Sequence, residues 1–244
     1  MFDTAIMVVP RLSISELASA TNVAPVVLAR ELIVPIPQVF HEVLPGGGLQ
    51  RGWSTSVGGS PAARVFAWAL LGEVTRSGGW VAAVDLSGIS LAAANEVGLS
   101  IERVLVVSGA DSGNWATTIG ALVGAVDVIV YGFPRRRIQP SVFRKLISRC
   151  RERGTVLMAL PESYVAQLNP SPPVEVDISF DVRPTSWLGL GEGHGHLKSR
   201  AIDVTVSGRR VPGQQRRGTF MVPDTDGVVR SVSTSSGSPL SIVG

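Results

Sequence analysis

Cysteine, charge and aromatic side chains are all scarce in this chain of 244 residues. The single cysteine, Cys150, excludes an intramolecular disulfide and an all-cysteine metal site. Charged residues make up 17% of the chain and apolar ones 45%, a balance that suits parallel strands buried on both faces. No apolar run reaches the roughly 18 residues that cross a bilayer. The N-terminus, MFDTAIMVVPRL, begins with an acid rather than a basic region, and its apolar run is too short for a signal peptide. A cytoplasmic protein is expected. No Ser-His-Asp order, H-E-x-x-H helix or Rossmann G-x-G-x-x-G stands out.

What is present is length, glycine and a slight excess of base. The chain can bury a full core in one or at most two domains. A formal net charge of +3 and a pI near 9.6 point mildly to a polyanionic partner.

Residues 1–43 show no clean alternation. Ser13 to Ala20 has capping-box spacing, with Ser13 and Glu16 three residues on, and Pro35 and Pro37 break any helix near them. This region is expected to be an N-terminal arm. From Arg51 the chain beats regularly. Strands are expected at 53–57, 80–84, 104–107, 126–131 and 155–160, with helices over 62–76, 90–97, 112–122 and 140–153 between them. That alternation is the signature of βαβ units and a parallel sheet. Pro140 suits the first turn of its helix, and Gly154 its end. After Pro161 strands follow without helices at 174–182, 201–206 and 218–222, predicting an antiparallel extension. The Gly-rich segment WLGLGEGHGHLKSR between the first two is a loop or hairpin. From Pro223 the composition predicts a disordered tail.

The stretch LPGGGLQRGWSTSVGGSPAARV (44–65) reads as a strand feeding a tight loop and then a helix, the layout of a phosphate-binding loop. Laid over G-x-x-x-x-G-K-[ST], Gly58 and Gly59 open the loop, while Ala63, Arg64 and Val65 replace the last three positions. An ordinary Gly-rich turn is the plain alternative. Gly47-Gly48-Leu49, the 58–65 loop, Val84-Asp85 and the run Gly124-Ala125-Val126-Asp127-Val128-Ile129-Val130 lie at RecA recombinase spacings. The chain resembles RecA over roughly 44–222, and its departures resemble the actinobacterial ImuA-type proteins, diverged RecA relatives.

That resemblance implies an α/β, RecA-like (P-loop NTPase-type), mainly parallel sheet over 44–222, between an arm at 1–43 and a tail at 223–244. It implies a non-catalytic accessory protein of damage-induced translesion synthesis, in the SOS mutasome. An ImuB-type Y-family polymerase homologue is the implied partner, docking a segment like the RecA N-terminus. RecA, a damage-induced replicative-type polymerase and DNA are further partners, with a nucleoid-associated location and no membrane. An active RecA/KaiC-type ATPase with residual nucleotide binding and a stand-alone DNA-binding protein are the alternatives.

Chemistry argues against turnover. Pro61 removes one loop donor, Ala63 puts a Cβ where the pattern has Gly, and Arg64 substitutes a planar fork for an ammonium. Val65 has no hydroxyl for magnesium. Ser87 stands where RecA-like ATPases carry a catalytic Glu, and Gly132 or Tyr131 where the Walker B Asp belongs. Asp127 is an acid at the wrong end of its strand, about 16 Å away. No cofactor is expected.

Two basic clusters are candidate DNA or partner contacts. The first holds Arg135, Arg136, Arg137, Arg144, Lys145, Arg149, Arg151 and Arg153. The second holds Lys198, Arg200, Arg209, Arg210, Arg216 and Arg217. A solvated helix face with a charged edge hairpin is the alternative. A docking surface for an acidic partner segment is a third reading. His194 and His196, with Glu192 as the only local carboxylate, read as a flexible loop rather than a metal site. Cys150 lies among arginines that could lower its pKa, but without a partner residue it reads as structural.

Overall fold

Strands that are apolar at every position can only be satisfied between two layers, and three of them form the centre of this protein. Val81–Val84 (β4), Val128–Tyr131 (β6) and Val156–Ala159 (β7) are buried at all four positions. The computed structural model describes residues 32–86, 89–109, 114–132, 138–160, 172, 174–190, 195–211, 213–224 and 229–232. The expected helix at Ser13–Ala20 lies outside them, as do Ser87, Arg135, Arg136, Arg137, Glu192 and His194.

The remaining strands are Ile33–Val34 (β1), Leu49–Gln50 (β2), Ser54–Gly58 (β3), Val104–Val107 (β5), Ile178–Leu190 (β8), Gly195–Ser207 (β9), Arg216–Met221 (β10) and Arg230–Ser231 (β11). Nine of the eleven strands among the described residues form one sheet in the order β11-β10-β9-β8-β3-β7-β6-β4-β5. From β8 to β5 the pairings are parallel. From β8 outward through β9 and β10 to β11 they are antiparallel. β1 and β2 form a separate antiparallel pair.

Helices Ala62–Arg76 (α1) and Leu91–Glu96 (α2) cover one sheet face, together with a 3-10 turn at Gln38–Val43. Trp115–Leu122 (α3) and Pro140–Arg153 (α4) cover the other. α4 shows why the sequence folds this way. Phe143, Leu146, Ile147 and Cys150 recur at i, i+3, i+4 and i+7 and are all buried. Pro140 opens the helix, and Gly154, at φ 73°, ends it in the left-handed conformation. Residues 38–43 of the arm belong to the core. Phe40 meets Phe66 and Phe220 edge-on at 5.3 and 4.9 Å, joining the arm to α1 and β10.

The structure departs from the sequence expectation in two regions of the C-terminal half. β8 and β9 are each 13 residues long, because the Gly-rich segment pairs with itself as a two-stranded ribbon beyond the sheet. Irregularities between Pro184 and Ser186 and between Leu188 and Leu190 absorb the proline and a glycine. Within the segment expected as a tail, Arg230 and Ser231 form the outermost strand, opposite Met221 and Phe220.

Candidate functional site

The phosphate-loop-like turn lies at the carboxyl end of β3, which is hydrogen-bonded to β7 on one side and β8 on the other. Gly59, at φ 102°, makes the turn. It also lets the loop lie against β8, since a Cβ there would stand 2.7 Å from the Val182 carbonyl oxygen and against the Asp181 carboxylate. A phosphate at such a turn needs free N–H groups at the helix start. Pro61 offers none. The Ala62 N–H donates to Ser60 Oγ at 3.2 Å, and the Ala63 N–H to the Ser60 carbonyl at 3.0 Å. The Ala62 and Ala63 methyls are fully buried, and Val65 packs on the same core.

At the carboxyl end of β4, Asp85 adopts φ 48°. Its Oδ1 accepts from the Gly109 N–H at 2.8 Å, joining this strand end to that of β5. β6 ends in an aromatic cluster: Tyr131 lies 5.2 Å from Trp115 and 6.3 Å from Phe143. Burial, and secondarily Cys150, push its phenol well above the ordinary range. Gly132 contributes its N–H to the Val84 carbonyl at 3.0 Å. Asp127 precedes β6 at the opposite, amino edge. Its carboxylate pairs with Arg51 at 2.7 Å and accepts from the Trp80 N–H at 2.8 Å, so it joins strand starts.

The basic clusters are divided by the fold. Arg144, Lys145 and Arg149 are exposed on α4. Arg151 at the end of that helix, with Arg209 and Arg210 in the β9–β10 turn, surrounds one fully buried carboxylate, Asp177. Asp177 also accepts from the Ser54 N–H and hydroxyl, each at 3.0 Å. Burial pushes its pKa up, but the Ser54 N–H, Arg209, the Ser54 hydroxyl and the Arg151 charge together outweigh that and hold it below the usual carboxylate range. Part of the candidate contact set therefore compensates a buried acid. Arg216 donates to the Leu44 carbonyl at 3.2 Å, fastening the turn that follows the arm to β10. Arg217 lies exposed beside Asp181, Arg183 and Asp203 on the uncovered polar face of the antiparallel strands. Lys198 is exposed on β9, whereas Arg200 is buried and stacks 4.9 Å from the Trp187 ring.

Asp177 escaped the sequence reading. Its signal was the second of two acids inside VEVDISF, the one that falls between the apolar residues Val176 and Ile178 at the foot of a strand. The expectation of a lowered Cys150 pKa is corrected: burial, opposed by Arg149, pushes the thiol up to about 12. Among the described residues, no group of three His, Cys, Asp or Glu side chains could hold a metal, and no helix is long and apolar enough to cross a membrane.

Comparison with known proteins places this geometry. An uncharacterized protein of Mycobacterium tuberculosis, Rv3395c, is 29% identical over 123 residues. The match covers 50% of this chain and 59% of that protein, so the chain spans less than two thirds of its relative. The flagellar accessory protein FlaH from Methanocaldococcus jannaschii superposes with a TM-score of 0.55 at 11% identity, over 82% of this chain and 98% of FlaH. At that identity the likeness is one of fold, and the fold is RecA-like: a mainly parallel sheet between helices, extended by antiparallel strands. The MT3502 N-terminal domain family matches residues 42–164, which include the phosphate-loop-like turn, the central parallel strands and α4; the chain belongs to that family.

Proposed function

We propose that this protein is a non-catalytic RecA-like accessory module of damage-induced translesion synthesis, working by docking an ImuB-type polymerase homologue. The observation that carries the non-catalytic part is the state of the α1 N-terminus. Its first donors are absent at Pro61 or already bonded to Ser60 at Ala62 and Ala63. A phosphate there would have to break bonds that an active loop leaves open. Val65 without a hydroxyl, and Tyr131-Gly132 in place of a metal-binding acid, support the same reading.

The docking part rests on the ImuA-type resemblance and is supported by β5. Among the described residues this strand ends the sheet and pairs only with β4. It carries no charge along Val104–Val107, and Val106 is 43% exposed. Such an edge is a template for an incoming strand, the kind of motif a RecA-N-terminus-like segment supplies.

Co-purification with the polymerase homologue after nuclease treatment tests the partner. Capture is expected to survive the nuclease, and its absence would refute the docking. Magnesium-dependent ATP turnover by the pure protein, abolished by Arg64→Ala, would refute the non-catalytic part.

A further inference from the structure

We infer that the outer face of α4, together with the β9–β10 turn, is a binding surface for the phosphate backbone of duplex DNA. This goes beyond the function proposed above and is independent of its polymerase partner. The juxtaposition that carries it is not visible in sequence. Arg144, Ser148 and Arg151 stand at i, i+4 and i+7 on one face of α4. Arg209, from a turn more than fifty residues later, joins them at an open cavity of about 360 Å³.

The local charge is strongly one-sided. Arg151, Arg209 and Arg210 share the single buried charge of Asp177, and their side chains remain 45%, 47% and 56% exposed. Three guanidiniums against one carboxylate leave an excess of about two positive charges, with N–H groups still facing solvent. Among the described residues, Arg144 and Lys145 form no ion pair. Glu175 lines the cavity, and the nearby Glu152 already accepts from Ser148 Oγ at 3.2 Å.

The surface is also pre-organised. Asp177 fixes the planar forks, so less side-chain freedom is lost when an anion arrives. Seven residues of helix set Arg144 and Arg151 about 10 Å apart along the axis, the rise of roughly three nucleotides in one duplex strand.

The same observations select the partner. The exposed large apolar side chains among the described residues are Leu32, Val106, Trp187, Leu188 and Val232. None lies on this surface, so it lacks the buried anchor on which protein interfaces depend. Among the described residues it also lacks an aromatic platform on which unpaired bases would stack. Cations without anchors read backbone and not sequence. α4 descends from the carboxyl edge to end beside β7 at the amino edge, so the surface runs away from the Ser60 turn.

The test uses the full chain and a labelled random-sequence duplex of roughly 25 base pairs, followed by fluorescence anisotropy between about 50 and 200 mM salt. The wild type is expected to bind with steep salt dependence. The double variant Arg144→Ala, Lys145→Ala should bind several-fold more weakly, with its log–log salt slope reduced by about one to two. Its thermal unfolding should be unchanged. Arg151→Ala and Arg209→Ala should weaken binding as well, while Arg183→Ala, which pairs with Asp181 away from this cavity, should not. Absence of wild-type binding at the lowest salt, or wild-type affinity in the double variant, would overturn the assignment. Polyglutamate competing as well as unlabelled duplex would overturn it in favour of an acidic protein partner. Co-purification of the polymerase homologue after nuclease treatment is unaffected by any of these results, so the two proposals fail separately.

Discussion

The buried carboxylate of Asp177 accepts two hydrogen bonds from Ser54, one from its N–H and one from its hydroxyl, across 123 residues of sequence. This contact fixes where β8 starts relative to β3. Because Asp177 also holds Arg151 and Arg209, the foot of the antiparallel extension, the end of α4 and the start of the central strand share one ionic centre. A buried charge with several partners is costly to break from one side, since the partners are left uncompensated.

Asp177→Ala leaves the buried Ser54 N–H and hydroxyl without their acceptor, while the arginines still face water, and is expected to cost about 1–3 kcal/mol in urea unfolding. The pH dependence has a definite sign. The folded carboxylate titrates below its unfolded value of about 3.9, so its stabilisation is complete above that pH and is lost as pH falls through the folded pKa. Wild-type stability should therefore drop on acidification below about pH 4. Asp177→Asn, less stable at neutral pH, should show a shallower drop. Parallel acid profiles for both proteins would contradict this.

Ser60 provides a second test, independent of nucleotide. Its hydroxyl and carbonyl satisfy the donors of Ala62 and Ala63, the work of a helix cap. Ser60→Ala is expected to cost about 1 kcal/mol of stability and to create no ATP binding, because Pro61 and Val65 are unchanged. Calorimetry with Mg-ATP on the variant and thermal melts of both proteins measure the two halves.

Cys150 should be inert in the folded protein. With its pKa pushed up to about 12 and its side chain inside the core, almost no thiolate exists at pH 8. A thiol-specific reagent such as DTNB is expected to react only as fast as the protein opens, and rapidly in denaturant. Stoichiometric native labelling within seconds would show that α4 is not seated as described.

Local signals were legible where a single element sets its own conformation. Pro140 and Gly154 mark α4 at both ends, and apolar four-residue runs mark β4, β6 and β7. The Phe143, Leu146, Ile147 spacing also puts Cys150 on the buried face, and that signal outweighs the basic neighbours along the chain, which project outward. Contacts between distant segments were not legible. Arg209 and Arg210 read as free charge because their counter-ion sits 32 and 33 residues earlier, just ahead of β8 between the apolar Val176 and Ile178. Arg216 likewise finds a backbone carbonyl 172 residues away. The phosphate-loop-like turn was visible by spacing, but the occupation of the Ala62 amide depends on the Ser60 rotamer, which no pattern encodes.

The docking proposal for β5 yields the last prediction. Val106 is 43% exposed on an edge strand, so a charge at that position meets water in the free protein and costs little. If a partner strand pairs there, the same charge is desolvated against an apolar neighbour, with no counter-ion among the uncharged residues of Val104–Val107. Val106→Asp should therefore leave the melting temperature within about 2–4 °C of wild type while reducing capture of the polymerase homologue at least about tenfold, roughly 1.4 kcal/mol. Val106→Thr, which retains β-branching and strand preference, should retain most of the binding. Equal capture by Val106→Asp and wild type would remove the edge strand as the docking element. Loss of capture accompanied by a large fall in melting temperature would mean that Val106 supports the fold and not the interface.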